Sequence, residues 1–215
     1  MRYNDSMDQI ITRCLPFTMT PPARLSALIE SVQYLYRHNI LGDVVECGVW
    51  RGGSMMAAAL TLLSENDTGR RLWLYDTFTG MPRPDKEDIR ISDGKPAGSL
   101  WHPAWAVAGL PEVKRNLFST GYPTSKIKFI PGLVEQTLQQ TKPDQIALLR
   151  LDTDWYSSTK SELEMLYPLL ARGGILIIDD YGHYQGARKA TDEYLGETAK
   201  QLKAIDYSAR MLIKK

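Results

Sequence analysis

Apolar and polar positions along the chain follow two different periods. From residue 21 to residue 39, apolar side chains recur every three or four positions, which predicts an amphipathic helix. Thr20 is placed to cap this helix, and Pro21 suits its first position because the missing N–H of proline costs nothing there. After Gly42 the pattern changes, and short apolar runs alternate with stretches of helical spacing.

Five short runs rich in Val, Ile and Leu are predicted to be buried strands, as expected where helices cover both faces of a parallel sheet. The runs are 43–47, 72–76, 127–130, 146–151 and 175–179. Helical spacing predicts helices at 53–64, 111–120, 132–141, 159–171 and 185–199. Two last strands joined by a tight turn are predicted at 201–206 and 209–215. This alternation predicts an α/β fold, a doubly wound and mostly parallel sheet with right-handed crossovers.

Two details of this pattern are specific enough to test. Thr159 and Glu162 have the spacing of a capping box at the start of the fourth helix, and Gly173-Gly174 is typical of its end.

The stretch 79–109 follows neither period; it is rich in Gly and Pro and carries two tryptophans. A loop of this length is either a functional lid or a disordered segment, and the tryptophans favour a lid. We expect one domain over 1–215, with an N-terminal helical segment at 1–40 and a lid insertion at 79–109.

Composition mainly excludes classes of partner. The 215 residues include 26 basic and 25 acidic side chains, a formal net charge of +1, which argues against a nucleic-acid binder and against docking on an anionic membrane. Cys14 and Cys47 are too few for a disulfide framework, and no apolar run approaches the length of a membrane span. These features predict a soluble, cytoplasmic, single-domain protein. Its small-molecule partner is indicated only by the residues at the strand ends. The apolar first helix offers a surface for a homo-oligomer, and the oligomeric state stays open.

Acidic residues gather where the predicted strands end. Ligands of open α/β sheets bind at the carboxyl ends of the strands, so these positions predict the site. The acids are Glu46, Asp76, Asp152, Asp179 and Asp180. Their mutual repulsion in one crevice must be offset by cations or by hydrogen-bond donors.

The turn after the first strand points to a charged ligand. Gly48, Gly52 and Gly53 would let the backbone approach a ligand closely at the start of a helix. Their spacing is not the G-x-G-x-x-G of dinucleotide-binding proteins. Glu46, just before these glycines, would repel a pyrophosphate but could pair with an ammonium group. An ordinary glycine turn is the alternative interpretation.

Asp76 ends the second strand, about 20–30 residues after that turn, which suits a carboxylate that binds ribose hydroxyls. Thr77 and Phe78 would then line an adenosine pocket. The alternative is that Asp76 caps the next helix. Together with the first turn, Asp76 favours a nucleoside that carries a positive group, and S-adenosylmethionine fits this description.

Three further acids suggest a metal site. Asp152, Asp179 and Asp180 offer only oxygen ligands, which suit Mg²⁺ or Ca²⁺ better than zinc. The structural alternatives are that Asp180 caps the helix near residue 185 and that Asp152 accepts from backbone amides. The role of Asp154 stays open. His183 is either a substrate contact or auxiliary base, or an ordinary surface or packing residue.

Four segments carry a resemblance to a known family. They are VVECGVWRGGS at 44–54, LYDTFTGMP at 74–82, LLRLDTDWYSST at 148–159 and GGILIIDDYGHYQGARKATDEYL at 173–195. These segments resemble the macrocin O-methyltransferase (TylF) family, whose members depend on S-adenosylmethionine and Mg²⁺ and act largely on sugar hydroxyls of natural products. The resemblance covers roughly residues 40–195, and the closing segment KAIDYSARMLIKK is similar to the last β-hairpin of the family.

The resemblance implies the seven-stranded class I methyltransferase fold with an antiparallel last strand. It implies a cofactor site formed by Glu46, Gly48, Ser54, Asp76, Thr77, Phe78, Gly132 and Asp152. It also implies that Asp152, Asp179 and Asp180 bind Mg²⁺ and that Asp152 acts as general base. His183 is a second catalytic candidate because of its position three residues after Asp180, and not because of the resemblance.

The predicted reaction is methyl transfer to a hydroxyl held on Mg²⁺. A catechol-type O-methyltransferase acting on a phenol is the nearest alternative, and a flat acceptor site lined by aromatic side chains would favour it. A nicotinamide-dependent reductase is disfavoured because the G-x-G-x-x-G spacing is missing. A binding module without catalysis is disfavoured because acids stand at all three metal positions.

Overall fold

The computed structural model describes residues 5–215, and its centre is one seven-stranded sheet. The strands are β1 (Asp43–Cys47), β2 (Leu72–Asp76), β3 (Ile127–Pro131), β4 (Ile146–Leu151), β5 (Leu170–Ile178), β6 (Lys203–Ala204) and β7 (Arg210–Ile213). Their order is β3-β2-β1-β4-β5-β7-β6. Strands β1 to β5 are parallel, whereas β7 is antiparallel to both of its neighbours. The predicted mostly parallel α/β sheet with antiparallel last strands is confirmed.

Seven α-helices cover the sheet in the described part of the chain. They are α1 (Met7–Cys14), α2 (Pro22–Arg37), α3 (Gly53–Ser64), α4 (Leu110–Phe118), α5 (Val134–Gln140), α6 (Tyr156–Leu166) and α7 (Gln185–Leu195). The predicted bounds of β1, β2, β4 and α3 are confirmed residue for residue. The separate helix α1 was missed, although its capping box is visible in the sequence: Ser6 accepts from Gln9 N, and the Gln9 side chain accepts from Ser6 N.

Several predicted helix ends are wrong, among them the end of α7, which lies at Leu195 rather than at residue 199. Helix α2 begins at Pro22 with Pro21 as its N-cap residue, and the Thr20 hydroxyl instead accepts from Arg150. Helix α6 begins at Tyr156, three residues earlier than predicted, so Glu162 lies inside it and caps nothing.

The end of α6 also differs from the prediction. The helix stops at Leu166, and Tyr167–Leu169 form a 3₁₀ turn that contains Pro168. Gly173 and Gly174 therefore lie inside β5 rather than at the end of a helix. A Cβ at Gly174 would approach the carbonyl oxygen of Ala147 on β4 to 2.9 Å, so glycine is required by close packing of the two strands.

The core has two layers because successive strand residues point to opposite faces of the sheet. Val44 packs with α1 to α4 on one face, and Val45 packs with α5 to α7 on the other. The apolar stripe of α2 packs against α3 and is buried except for Tyr36, which is 45 % exposed. Most of the apolar surface that the sequence suggested for an oligomer contact is therefore covered within the chain, and the oligomeric state stays a prediction. Among residues 5–215, no helix combines the length and the apolar character that crossing a membrane requires.

Residues 79–109 form an irregular but well-anchored segment with one 3₁₀ turn at Ala97–Ser99. Its buried anchor is Asp88, whose carboxylate accepts from Asp85 N and from Tyr156 N, both at 2.8 Å. The second contact caps the first turn of α6 from outside that helix. The segment is therefore fixed against the same helix that follows the end of β4.

Candidate active site

A cavity of about 290 Å³ opens at the carboxyl ends of the strands. Its wall contains most of the residues that the sequence singled out: Gly48, Ser54, Asp76, Thr77, Gly132, Asp152, Asp179, Asp180 and His183. The N-terminal segment before α2 and the segment 79–109 close two further sides. This is the position expected for the ligand site of an open α/β sheet.

Gly48 allows the ends of β1 and β4 to meet below the cavity. Its φ of +81° lies in the left-handed region, and an added Cβ would fall 1.9 Å from the carbonyl oxygen of Asp152. The backbone of Asp152 donates to Cys47 O at 2.9 Å, which holds the two strand ends at this separation. Any side chain at this position would push apart the two turns that form the floor of the site.

Replacing Gly48 with alanine is expected to destabilise the protein by about 2–5 kcal/mol, because left-handed strain adds to a steric clash with backbone. Urea unfolding measures this effect. Gly94→Ala is the matched control, since Gly94 also has a positive φ (+70°) but, apart from its two chain neighbours, no other residue of 5–215 places a heavy atom within 4 Å of its Cβ position. The control should cost about 1–2 kcal/mol, the strain alone. Equal losses for the two variants would contradict the close-contact explanation.

Asp76 joins the turns that follow β1 and β2. Its Oδ2 accepts from Val49 N at 2.6 Å and from Trp50 N at 3.0 Å, and its Oδ1 accepts from Phe78 N at 2.7 Å. Trp50 and Phe78 both have positive φ, so the backbone adopts an uncommon conformation around this carboxylate. A carboxylate has about four acceptor positions, so Oδ1 keeps one for a ligand in the cavity.

The two residues after Asp76 separate in the structure. Thr77 lines the cavity and donates to Gly80 O at 2.6 Å. The ring of Phe78 turns away into the core, where its centroid lies 6.4 Å from that of Phe129. Phe78 therefore serves the site through its backbone N–H and not through its aromatic face.

Three hydroxyl groups meet at the first turn of α3. The Ser54 Oγ lies 3.5 Å from Thr18 Oγ1 and 3.4 Å from Thr20 Oγ1. Helix N-termini carry unpaired N–H groups and a partial positive charge, which favour anions such as a carboxylate. Ser54 was expected from the sequence, whereas Thr18 and Thr20 were missed as site residues because they belong to a segment 34–36 residues earlier in the chain.

Arg150 is the centre of a buried charge network under the cavity. It lies on β4 and is 2 % exposed. Its Nη1 donates to Glu46 Oε1 at 2.5 Å and to Asp152 Oδ2 at 2.6 Å, and its Nη2 donates to Asp179 Oδ1 at 2.6 Å. The sequence held a signal for this residue, namely one arginine inside the otherwise apolar run IALLRL.

Asp179 faces this network with both carboxylate oxygens. Arg150 occupies Oδ1, and Arg24 Nη1 donates to Oδ2 at 2.5 Å. Arg24 is itself held by Asp206, which accepts from its Nε at 2.7 Å. Asp179 thus links α2, β4 and the hairpin β6–β7 through arginines.

A second set of acids forms a compact cluster on the cavity wall. Oxygen atoms of Asp152, Asp154 and Asp180 all lie within 4.8 Å of one another. Of the three acids expected to share a metal, the structure brings together Asp152 and Asp180, adds Asp154, and keeps Asp179 on the two arginines. The Asp180 side chain does not cap α7, and its buried Oδ2 finds no hydrogen-bond partner among residues 5–215.

Three ionised carboxylates in this acid cluster would carry more negative charge than their surroundings balance. Burial, followed by repulsion between the neighbouring carboxylates, raises the pKa of Asp154 and Asp180 well above the usual range. Burial also raises the pKa of Asp152 to about 7, even though Arg150 acts in the opposite direction. Three oxygen ligands, one of them an unpartnered buried atom, fit a hard divalent cation such as Mg²⁺.

Of two further residues singled out in the sequence, Glu46 lies behind the cavity wall and His183 lies on it. Glu46 is buried behind Arg150, and burial raises its pKa to about 8; its Oε2 has no partner in the described part of the chain. His183 lines the cavity, with its Nδ1 3.3 Å from the Tyr207 hydroxyl. Burial, together with the charges of nearby arginines, lowers the pKa of His183, so its ring is neutral at pH 7.

Glu162 supports the acid cluster from below. It has no exposed surface, and its Oε1 accepts from Thr153 Oγ1 at 2.9 Å. Thr153 stands between Asp152 and Asp154 in the turn that follows β4. Within residues 5–215 its Oε2 has no hydrogen-bond partner, and burial raises its pKa to about 8. Between about pH 4.5 and about pH 8 the folded protein therefore holds a proton that the unfolded chain releases. Protonated Glu162 therefore contributes its full stabilisation below about pH 4.5, and this contribution is lost as pH rises through about 8.

Glu162→Gln imitates the protonated acid and should remove this pH dependence. From about pH 6 to about pH 9, we expect the unfolding free energy of the variant to rise relative to the natural protein by about 2–3 kcal/mol. Urea unfolding at both pH values measures the difference. Glu164→Gln, on the exposed side of the same helix, is the control and should show no such change. A pH-independent difference for Glu162→Gln would show that the carboxyl is ionised in the fold.

Comparisons with known proteins agree with this geometry. A family described as macrocin-O-methyltransferase (TylF) matches residues 5–213. The chain is 35 % identical over 179 residues to the 8-demethyl-8-(2,3-dimethoxy-alpha-L-rhamnosyl)-tetracenomycin-C 4'-O-methyltransferase of Streptomyces olivaceus, covering 83 % of this chain and 67 % of that protein. It is also 35 % identical over 191 residues to the demethyldecarbamoylnovobiocin O-methyltransferase of Streptomyces niveus, covering 88 % and 72 %.

Among solved structures, the O-methyltransferase NovP superposes with a TM-score of 0.82 at 30 % identity, over 93 % of this chain and 82 % of that one. The calicheamicin methyltransferase CalS11 superposes with a TM-score of 0.73 at 22 % identity, over 97 % and 93 %, which supports the fold alone.

Proposed function

Because the chain belongs to the macrocin O-methyltransferase (TylF) family and is an S-adenosylmethionine-dependent O-methyltransferase, we propose that it methylates a sugar hydroxyl of a natural product. The observation that carries this proposal is the pairing, in one cavity, of an acid cluster with a hydroxyl-lined helix terminus. The name of the S. olivaceus relative includes a rhamnosyl group, which supports a sugar over a phenol as the acceptor.

In this proposal the cofactor lies across the ends of β1 and β2. Asp76, Thr77 and Gly132 line the cavity; the free acceptor position of Asp76 would hold the ribose hydroxyls, and Thr77 and Gly132 would border the adenosine. Ser54 and the helix N–H groups at the start of α3 would hold the cofactor carboxylate. Gly48 allows close approach of the methionine portion. Glu46 acts from behind, by fixing Arg150 beneath this end of the cavity.

Asp152, Asp154 and Asp180 would hold the divalent cation in this proposal, with Mg²⁺ as the ion that their oxygen ligands suit. Such an ion supplies Lewis acidity, which lowers the pKa of an acceptor hydroxyl. Asp179 stays on its two arginines and orients the cluster without binding the ion.

The proton of the acceptor hydroxyl passes to Asp152 in the proposed reaction. Arg150 fixes the direction of the Asp152 carboxylate, as a positioned general base requires. His183, neutral and on the same cavity wall, is a second acceptor for this proton. Residues 79–109 act as the lid that keeps water from the reacting atoms, anchored through Asp88 to α6.

The test is a methyl-transfer assay with S-adenosylmethionine and Mg²⁺, in which methyl α-L-rhamnopyranoside and catechol are offered in separate reactions. Mass spectrometry should detect a methylated rhamnoside that disappears when EDTA removes the metal. Methylation of catechol alone would favour the phenol alternative. Binding of S-adenosylhomocysteine, measured by calorimetry, checks the cofactor site independently of any acceptor.

A further inference from the structure

We propose that Asp88 is a positioning residue for the acids of the proposed cation site, because it fastens the segment 79–109 to both turns that carry them. These turns are the one after β4, with Asp154, and the one after β5, with Asp180. The inference rests on the proposed function for the identity of the cation. It adds that the order of the segment and the affinity for the cation depend on each other.

The first observation is the position of the Asp88 carboxylate. Although it belongs to an irregular segment, Asp88 has no exposed surface. Its Oδ2 accepts from Asp85 N within the segment, and its Oδ1 accepts from Tyr156 N at the start of α6, each at 2.8 Å. Tyr156 stands two residues after Asp154. One buried carboxylate therefore holds the segment to the turn after β4.

Gly186 shows how closely α7 packs on this carboxylate. A Cβ at Gly186 would lie 2.0 Å from Asp88 Oδ1 and 2.9 Å from Tyr156 N. Gly186 belongs to the first turn of α7, which follows the turn that carries Asp180. The carboxylate thus lies between the first turns of α6 and α7, and any side chain at this glycine would displace it.

Backbone hydrogen bonds join the segment to the turn after β5 as well. Ile91 N donates to His183 O at 2.9 Å, and Gln185 N donates to Ile89 O at 2.8 Å. The backbone N–H of His183 donates in turn to Asp180 O at 2.9 Å. The segment therefore pairs in antiparallel fashion with the residues that follow Asp180.

Trp155 adds a contact beside Asp154. Its Nε1 donates to Pro82 O at 3.0 Å, and its ring centroid lies 5.0 Å from that of Tyr184. Asp154 itself has a φ of +68°, an unfavourable conformation for a residue with a side chain. Such a conformation persists only where the surrounding contacts hold it. The segment 79–109 supplies contacts of this kind to the two residues that follow Asp154.

Coupling between two sites is reciprocal, so two effects must occur together. A cation that draws Asp154 and Asp180 to their bound spacing should stabilise the segment 79–109, and loss of the Asp88 anchor should weaken cation binding. The proposed cofactor contacts lie at the ends of β1 and β2, outside these two turns, so the affinity for the cofactor should change less.

Asp88→Ala and Gly186→Ala test the anchor from its two sides. Calorimetric titration with Mg²⁺ should give an affinity about 10-fold lower in each variant, whereas the affinity for S-adenosylhomocysteine should stay within about 3-fold. Asp88→Asn keeps an acceptor oxygen for Tyr156 N and should restore most of the Mg²⁺ affinity. Two matched controls should keep it fully: Asp85→Ala, at an exposed acid of the same segment, and Gly98→Ala, where the nearest atom beyond the chain neighbours is 4.0 Å from the added Cβ.

A measurement on the natural protein makes the test independent of how well these variants fold. The amides of Ala97 and Tyr156 donate to Asp88. Hydrogen exchange should show that Mg²⁺ slows these two amides about 10-fold more than the amides of the edge strand β3. A general stabilisation by a bound ligand would act on both sets alike.

Any of three results would overturn the inference: an unchanged Mg²⁺ affinity in folded Asp88→Ala, an equal loss of affinity for Mg²⁺ and for S-adenosylhomocysteine, or no effect of Mg²⁺ on exchange at Ala97 and Tyr156. These measurements need no acceptor, so they are separate from the methyl-transfer assay. A protein that shows the linkage but methylates neither the rhamnoside nor catechol would retain the anchor and contradict the proposed function. A protein that binds no Mg²⁺ and methylates the rhamnoside in EDTA would retain the sugar acceptor and contradict this inference.

Discussion

Arg150→Met should abolish methyl transfer and lower the free energy of unfolding by about 3–5 kcal/mol. The arginine is 2 % exposed and donates to Glu46, Asp152 and Asp179, so its removal leaves three carboxylates facing one another below the cavity. Unpaired buried charge is among the most costly defects that a single substitution can introduce. Urea unfolding and the methyl-transfer assay together measure the two effects.

A second substitution at Arg150 separates the effect of its charge from that of its hydrogen-bonding geometry, and a variant at Arg172 is the control. Arg150→Lys keeps the positive charge but not the planar fork that serves three acids at once, so we expect an intermediate loss of stability. Arg172→Met, at an exposed position of β5, is the control and should change stability by no more than about 0.5 kcal/mol. A stable and active Arg150→Met protein would show that the three acids are protonated in the fold and need no cation.

The second large effect is expected at the acid cluster. Asp180→Asn and Asp154→Asn should each reduce turnover by about 10²–10³-fold, because each removes an oxygen ligand from the proposed cation. Calorimetric titration with Mg²⁺ should show weaker binding in both variants. Their affinity for S-adenosylhomocysteine should change little, since the proposed cofactor contacts lie at the ends of β1 and β2.

Asp179→Asn is the decisive comparison for this cluster. Both of its oxygens accept from arginines, so the variant should lose stability by breaking pairs with Arg24 and Arg150. Its affinity for Mg²⁺ should fall less than that of Asp154→Asn. The opposite result, with Mg²⁺ binding lost in Asp179→Asn and kept in Asp154→Asn, would support the metal set of Asp152, Asp179 and Asp180 that the family resemblance implies.

The sequence predicted the bounds of an element most accurately where that element is a continuous run of buried apolar residues. The bounds of β1, β2, β4 and α3 followed from such runs, because a strand buried on both faces permits few polar positions. Prediction failed at the ends of α2 and α6. There the deciding contacts come from elsewhere in the chain: Arg150 takes the hydroxyl of Thr20, and Asp88 supplies the cap at Tyr156.

The amino-acid pattern was enough to predict the order of the central elements, the fold class and the edge of the sheet where the chemistry lies, because the carboxyl ends of parallel strands meet at one edge. The pattern could not show which acids face one another, because that depends on how the chain folds. Successive residues at a strand end point to opposite sides, so Asp179 turns to the arginines while Asp180 joins Asp152 and Asp154. Arg24 and Arg150 lie far apart in the chain, and the fold alone brings both to Asp179, because carboxylates at this depth are stable only when cations reach them.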